Sequence, residues 1–323
     1  MAAGETEEAS LNSPLPGSPP PLRVGVFGTG AMGRNHVRLL SSLPGAELVG
    51  IYDPDPRPAA AAARDHGARI FPRLEELAGE IEAAVVAAPT VAHAGMGCAL
   101  LARGLHVLIE KPLAASLAEA DRLLAAACDR VLAVGHVEFF NPAVQALLGV
   151  GTPPRFVEVQ RLGVFSPRSL DVDVILDLMI HDLQILHALD PSPVAEVRAT
   201  GIAVLSPRID IANVRLQFAS GGVANLTASR VSSERARKLR AFLPNRYYSL
   251  DYQAQEIKGY RLEERDGERR ILPDDLAVER AEPLKRELEA FLAACRGDSA
   301  PRVDGVQGRQ VLATALAVVE AIQ

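Results

Sequence analysis

The sequence predicts an α/β chain of two domains, a doubly wound parallel sheet followed by an α+β domain with a mostly antiparallel sheet. Three observations carry this. From Leu22 to Gly135, short apolar runs alternate with helical patterns. After Pro153–Pro154 the runs have strand character and follow one another directly, and the length of 323 residues suits two domains.

In the first region, strands are expected at Leu22 to Phe27, Glu47 to Tyr52, Ala83 to Ala88, His106 to Ile109 and Val131 to Val134. Helices are expected at Met32 to Leu43, Pro58 to His66, Val91 to Arg103 and Leu117 to Cys128. Pro58 starts its helix where a missing N–H does no harm, and Gly104 stops another. In the second region, Phe156 to Leu162 alternates like a half-buried strand and Val174 to Ala188 reads as a helix. Further strands are expected at Val194 to Leu205, Ile211 to Phe218, Val223 to Ser229, Lys238 to Leu243 and Tyr247 to Tyr252. Two helices, Pro283 to Arg296 and Val306 to Ile322, close the chain, and these can pack back on the first domain. The domains are thus 22–150 and 151–323, after a Pro-, Ser-, Gly- and Glu-rich stretch, 1–21, that reads as a disordered tail rather than a signal peptide.

Composition excludes several classes. With 48% hydrophobic and 23% charged residues there is ordinary core material, but no apolar run reaches membrane-spanning length. A net charge of -6 leaves no electrostatic footprint for nucleic acid and no basic patch for a membrane surface. Cys98, Cys128 and Cys295 lack pairing or metal-ligand spacing, which fits packing thiols in a reducing cytoplasm and no metal site.

Gly28–Thr29–Gly30–Ala31–Met32–Gly33 fits G-x-G-x-x-G between an expected strand and helix. The first glycine turns the chain, the second lets backbone approach a pyrophosphate, and the third permits close helix–strand packing. Asp53 ends the next strand, 20 residues past Gly33. A carboxylate there accepts the ribose hydroxyls of NAD and repels the 2′-phosphate of NADP. Arg57, four residues on, has the reach to offset that preference. The expected domain is therefore a Rossmann domain with NAD as cofactor.

Glu110–Lys111–Pro112 falls at the carboxyl end of an expected strand, the edge where such sheets bind ligands. A lysine partly desolvated there suits proton transfer, and Pro112 favours extended geometry at Lys111. Asp177 and His181 are spaced i, i+4 on one face of an apolar helix, where polar side chains need partners or a cleft. A carboxylate beside His181 can fix its tautomer. Asp182 reads as a solvated neighbour. Taken singly, each of these groups is read as readily as an ordinary ion pair or a satisfied core pair.

Together, Gly28-x-Gly30-x-x-Gly33, Glu110–Lys111–Pro112 and Asp177-x-x-x-His181 resemble the Gfo/Idh/MocA oxidoreductases, from about Arg23 onward. Pro89–Thr90, His93 and Gly135–His136–Val137–Glu138 extend the resemblance. It implies a Rossmann domain and an open-faced sheet through which chains oligomerise. Lys111 and His181 would act as acid/base groups at a sugar or polyol hydroxyl, with Asp177 orienting the substrate or His181. The cofactor would meet Gly28 to Gly33, Asp53, Ala88, Pro89, Thr90, His93, Glu110 and Lys111, and His136 would line the substrate side. A narrower resemblance, carried by Asp171 to Asp182, Ala224 to Val231 and Ser249 to Gln253, is to bacterial UDP-N-acetylglucosamine 3-dehydrogenases. That implies a nucleotide-sugar substrate and a 3-keto product passed to an aminotransferase for lipid A synthesis. A polyol or simple-sugar dehydrogenase, or a non-catalytic NAD-binding scaffold, are the other readings. A diphosphate substrate of an acidic chain needs local cations, and Arg161, Arg168 and Arg230 are the candidates. Phe139 departs from relatives that carry Arg there.

Overall fold

The computed structural model describes residues 20–165 and 172–322. The expected tail, apart from Pro20 and Pro21, and Arg168 lie outside the described residues. Five strands, β1 (Leu22–Phe27), β2 (Ala46–Tyr52), β3 (Ala83–Val86), β4 (His106–Glu110) and β5 (Leu132–Gly135), form a wholly parallel sheet in the order β2-β1-β3-β4-β5. Strands β3, β4 and β5 are short apolar runs buried on both faces, as parallel pairing under helices demands. Helices α1 (Ala31–Leu40), α2 (Pro56–His66), α3 (Leu74–Ala78), α4 (Thr90–Leu101) and α5 (Leu117–Ala127) fill the crossovers. The strand order reverses between β1 and β3, so the crevice for a ligand opens at their carboxyl ends.

A 3₁₀ turn (Val137–Phe140) and α6 (Pro142–Leu148) lead to β6 (Phe156–Leu162). A π turn, Ile175–Met179, runs into α7 (Ile180–Leu189) where the sequence suggests one regular α-helix. Strands β7 (Val194–Ile202), β8 (Ile211–Phe218), β9 (Val223–Ser229), β10 (Ala236–Leu243), β11 (Arg246–Asp251), β12 (Glu256–Arg265) and β13 (Glu268–Pro273) complete an eight-stranded sheet, ordered β13-β12-β11-β10-β6-β9-β8-β7. Every pair is antiparallel except β6 with β9. Alternation decides the faces. Ala212, Val214, Leu216 and Phe218 of β8 point into the core under α7, while Asn213, Arg215 and Gln217 stay exposed.

The last two helices, α8 (Pro283–Arg296) and α9 (Gly305–Ile322), do pack back on the first sheet. Leu284, Leu288, Phe291 and Leu292 of α8 share a core with Val24, Val26 and Val37. On α9, Leu312 enters the core beneath α4 and α5, whereas Val311, Ala315 and Val318 enter the core of the second sheet. The chain just before α9 also pairs with β5, through Val134 N–H to Val303 O at 3.0 Å.

Candidate active site

The glycine loop after β1 is shaped from below. Gly28 has φ +92, and a Cβ there would lie 2.7 Å from the Ala87 carbonyl. A Cβ on Gly33 would meet Gly28 O at 1.9 Å, so the helix is seated directly on the turn. Over Gly30 the reverse holds, with nothing within 4 Å of a Cβ. Gly30 also caps α1 without a side-chain hydrogen bond, leaving first-turn N–H groups for an anion. Ala31 is exposed and Met32 half-buried beside it. This open cradle at a helix N-terminus suits a pyrophosphate.

Asp53 directly follows β2, beside the loop. Its Oδ2 accepts from Thr29 N at 2.7 Å and from Thr29 Oγ1 at 2.9 Å, and Thr29 is fully buried. Arg57 bonds Asp55, by Nη2 at 2.9 Å and Nε at 3.1 Å, and not Asp53. The acidic character at the ribose position is thus left in place.

The loop after β3 carries Ala88 and Pro89 at the same edge, with Pro89 exposed and Thr90 opening α4. His93 lies beneath that loop. It is 1% exposed, with Nδ1 2.9 Å from Pro112 O and Nε2 2.9 Å from Ala88 O, so it ties the β3 and β4 turns together. Glu110 likewise faces inward. Its Oε1 lies 2.7 Å from His36 Nε2, and its Oε2 accepts from Lys111 N at 3.2 Å. Gly135 of β5 makes room for it, since a Cβ there would lie 3.0 Å from the Glu110 carboxyl. Both side chains thus brace the loops at the carboxyl edge of the sheet.

Lys111 follows, with a cis bond to Pro112. Its Nζ donates to Asp177 O at 2.7 Å and lies 3.3 Å from Asp177 Oδ1. The π turn brings the Asp177 backbone and carboxylate toward β4, and such turns recur at functional sites. Asp177 therefore holds Lys111, and the expected bond from Asp177 to His181 is not made. His181 is half-buried with Nδ1 sealed off and unpartnered among the described residues, and its ring stands edge-on to His136, centroids 6.1 Å apart. Burial, then the nearby Lys111 charge, pushes His181 well below the usual histidine range. The same two causes bring the buried His136 down to about 3. Both rings are neutral near pH 7, so the site offers one ammonium and two neutral imidazoles.

The candidate cations separate. Arg161 is 2% exposed and grips Asp182 with Nε at 2.6 Å and Nη2 at 2.8 Å, and Glu138 with Nη1 at 2.9 Å. Burial would lower its pKa, but Asp182 and Glu138 outweigh that and keep it charged. It holds α7 to β6 rather than facing a substrate. Asp182 is 1% exposed, not a solvated neighbour, because the carboxylate is the partner of this buried cation and also accepts from Tyr252 Oη at 3.1 Å. Arg230, 6% exposed, donates to Val172 O at 2.5 Å and sits 3.6 Å from Asp210, bracing the chain ahead of the π turn. Sequence reasoning passed over Arg237. It shares the inward parity of Leu239 and Ala241 on β10, opposes Arg161 across the ladder, is 44% exposed, and lies 3.3 Å from Glu138. Its charge helps depress His181, which places it on the rim of the site. Only the strand's two-residue period could have pointed to it, and that needs β10 to begin before Lys238.

Residues 22–136 match the family described as an oxidoreductase family with an NAD-binding Rossmann fold. The chain is 37% identical, over 94% of its length and 97% of the relative's, to a UDP-N-acetylglucosamine 3-dehydrogenase of Acidithiobacillus ferrooxidans. The chain belongs to the Gfo/Idh/MocA oxidoreductase family. A solved structure of the UDP-N-acetylglucosamine 3-dehydrogenase from that organism superposes with TM-score 0.87 at 38% identity, covering 94% of this chain and 98% of that one. An inositol 2-dehydrogenase of Paenarthrobacter aurescens is 31% identical over 89% of this chain and 91% of its own. Levoglucosan dehydrogenase, solved with NADH and levoglucosan, shares the fold at TM-score 0.83 and 19% identity, covering 93% of this chain and 97% of that one. The chain is thus an NAD-binding oxidoreductase.

Proposed function

We propose that the protein oxidises the 3-hydroxyl of UDP-N-acetylglucosamine to a ketone, with NAD as hydride acceptor. The near full-length likeness to the Acidithiobacillus enzyme, joined to an intact Lys111–Asp177–His181 constellation, is the observation that carries this reading. The cofactor accepts the hydride, and the protein supplies orientation and proton removal. Lys111, already a donor to Asp177, supplies the positive charge that steadies the developing alkoxide. His181, neutral and half-buried, takes the hydroxyl proton, a role generally worth about 10²–10⁴ in rate. The Arg161–Asp182 pair fixes the residue next to His181 and so its position. Arg237 is the exposed cation suited to the diphosphate.

A 3-keto nucleotide sugar is a substrate for an aminotransferase, and that step on the way to lipid A fits the same reading. The outward aromatic cluster of Phe156, Phe242 and Tyr247, with centroids 5.6 and 5.0 Å apart, supports pairing of chains through the open sheet. Among the described residues no helix is long and apolar enough to cross a membrane, and three free cysteines suit the cytoplasm.

The test incubates the enzyme with UDP-N-acetylglucosamine, NAD, glutamate and a 3-keto-sugar aminotransferase, followed by mass spectrometry. The amino sugar is the expected product, and free N-acetylglucosamine is a much poorer substrate because the UDP group's binding energy orients the reacting carbon. Failure of that reaction, with ready NAD reduction by myo-inositol, overturns the nucleotide-sugar reading in favour of a polyol dehydrogenase.

A further inference from the structure

Glu287 is a carboxylate placed within the apolar stripe of α8, between Leu284, Leu288 and Phe291. It is 2% exposed, and neither oxygen has a hydrogen-bond partner among the described residues. It faces His36 of α1 and Glu110 of β4, and one ligand-type atom from each of the three lies within 4.8 Å of the others. Two carboxylates are thus buried around one imidazole, directly behind the Lys111 turn. Something must offset the charge.

Among the described residues, no lysine or arginine does so. Arg302 lines the small cavity beside Glu287, but its Nη2 bonds Gln145 Oε1 at 2.6 Å and its guanidinium lies over Phe139. Arg38 pairs with Glu282 at the exposed start of α8, and Glu138 of the 3₁₀ turn is held by Arg161. A shared metal ion fits poorly as well. Two ligands of a tetrahedral ion at the usual bond lengths stand about 3.4 Å apart. His36 Nε2 and Glu110 Oε1 are 2.7 Å apart, a contact closed by a proton. The neighbouring cavity, about 10 Å³, has room for one water.

We propose that Glu287 is a neutral carboxylic acid in the folded protein, whose uncharged packing behind Glu110 leaves Glu110 free to hold the Lys111 backbone and so positions Lys111. Burial, then the charge of Glu110, raises its pKa well above the carboxylate range. Glu110 in turn accepts the Lys111 backbone N–H, so α8 reaches the catalytic turn through two carboxyl groups. The positioning role rests on the proposed part of Lys111 in the reaction; the protonation state does not.

Glu287→Gln, isosteric with the neutral acid, tests both. A folded-state pKa raised above the unfolded value means that wild-type stability is lost as pH rises from the unfolded value toward the folded one. Gln does not titrate. Urea unfolding of the full chain between pH 5 and 8 is expected to show the Gln variant more stable, its folding constant gaining up to about tenfold per pH unit on wild type. Glu287→Leu is expected to lower kcat about tenfold with NAD affinity unchanged, and Gln to restore it. A Gln variant less stable than wild type at pH 8 overturns the neutral acid. So does one divalent ion per purified chain that the Gln variant loses. A Leu variant of full kcat overturns the positioning role, whatever the substrate proves to be.

Discussion

Lys111 is held at both ends, its backbone N–H by Glu110 and its ammonium by Asp177, so removing the ammonium leaves the turn in place. Lys111→Met is expected to lower kcat at least 100-fold while the NAD dissociation constant stays within about threefold, because the lost interaction belongs to the transition state. Near-normal turnover would remove Lys111 from the chemistry. The histidines make a second prediction. His136 and His187 are shifted by burial to about 3 and about 4, and His181 falls well below its ordinary 6.5. A lowered histidine pKa means that the unfolded chain binds protons first, so stability is lost as pH falls from 6.5 toward 4. Each histidine contributes at most about 1.4 kcal/mol per pH unit over that window. His187→Asn, outside the catalytic cluster, should flatten the acid slope of the urea midpoint, and an unchanged slope would count against it. At this scale the sequence was informative where several signals coincided. Lys111 and Asp177 lie 66 positions apart, yet their separate motifs named both. Arg161 was misread because a buried, paired arginine and a free one look alike in a string of letters, and only the fold supplies Asp182.

The glycine loop separates packing from binding within one element. Gly30→Ala adds a methyl to open space, so the melting temperature should hold while NAD binding weakens at least tenfold. Gly33→Ala drives a methyl toward Gly28 O, so it should destabilise the fold by roughly 1–3 kcal/mol, as overpacking does. Thermal melts with and without NAD read both, and equal melting temperatures for the two variants would refute the distinction. Elements with strong periodicity were legible, and β6, β8 and β9 have the expected bounds. The β12–β13 hairpin was missed because most of its residues are exposed and charged, leaving no apolar alternation. Its turn did carry a signal, Asp266–Gly267, both left-handed at φ 56 and 82. The π turn has no signature in residue type. Its register comes from tertiary packing around Asp177.

Across the whole molecule, α9 joins the two sheets. Neighbours Val311 and Leu312 enter different cores, so neither sheet keeps its packing when the helix leaves. One calorimetric transition is expected, with equal calorimetric and van't Hoff enthalpies, and Leu312→Ala should shift it by about 2–5 kcal/mol without splitting it. Two resolved peaks would show the domains to be independent. Domain order and the return of the last helices were readable from the succession of elements, but this sharing was not, because amphipathic spacing marks an apolar face without naming what covers it.

That helix follows all thirteen strands of the described residues. During synthesis both sheets emerge from the ribosome before the piece that closes them, and β5 waits for the Val303 partner of its edge. A nascent chain arrested before Gly305 should therefore hold apolar surface open on both halves and recruit chaperones. One extended past Ile322 should release them in a single step.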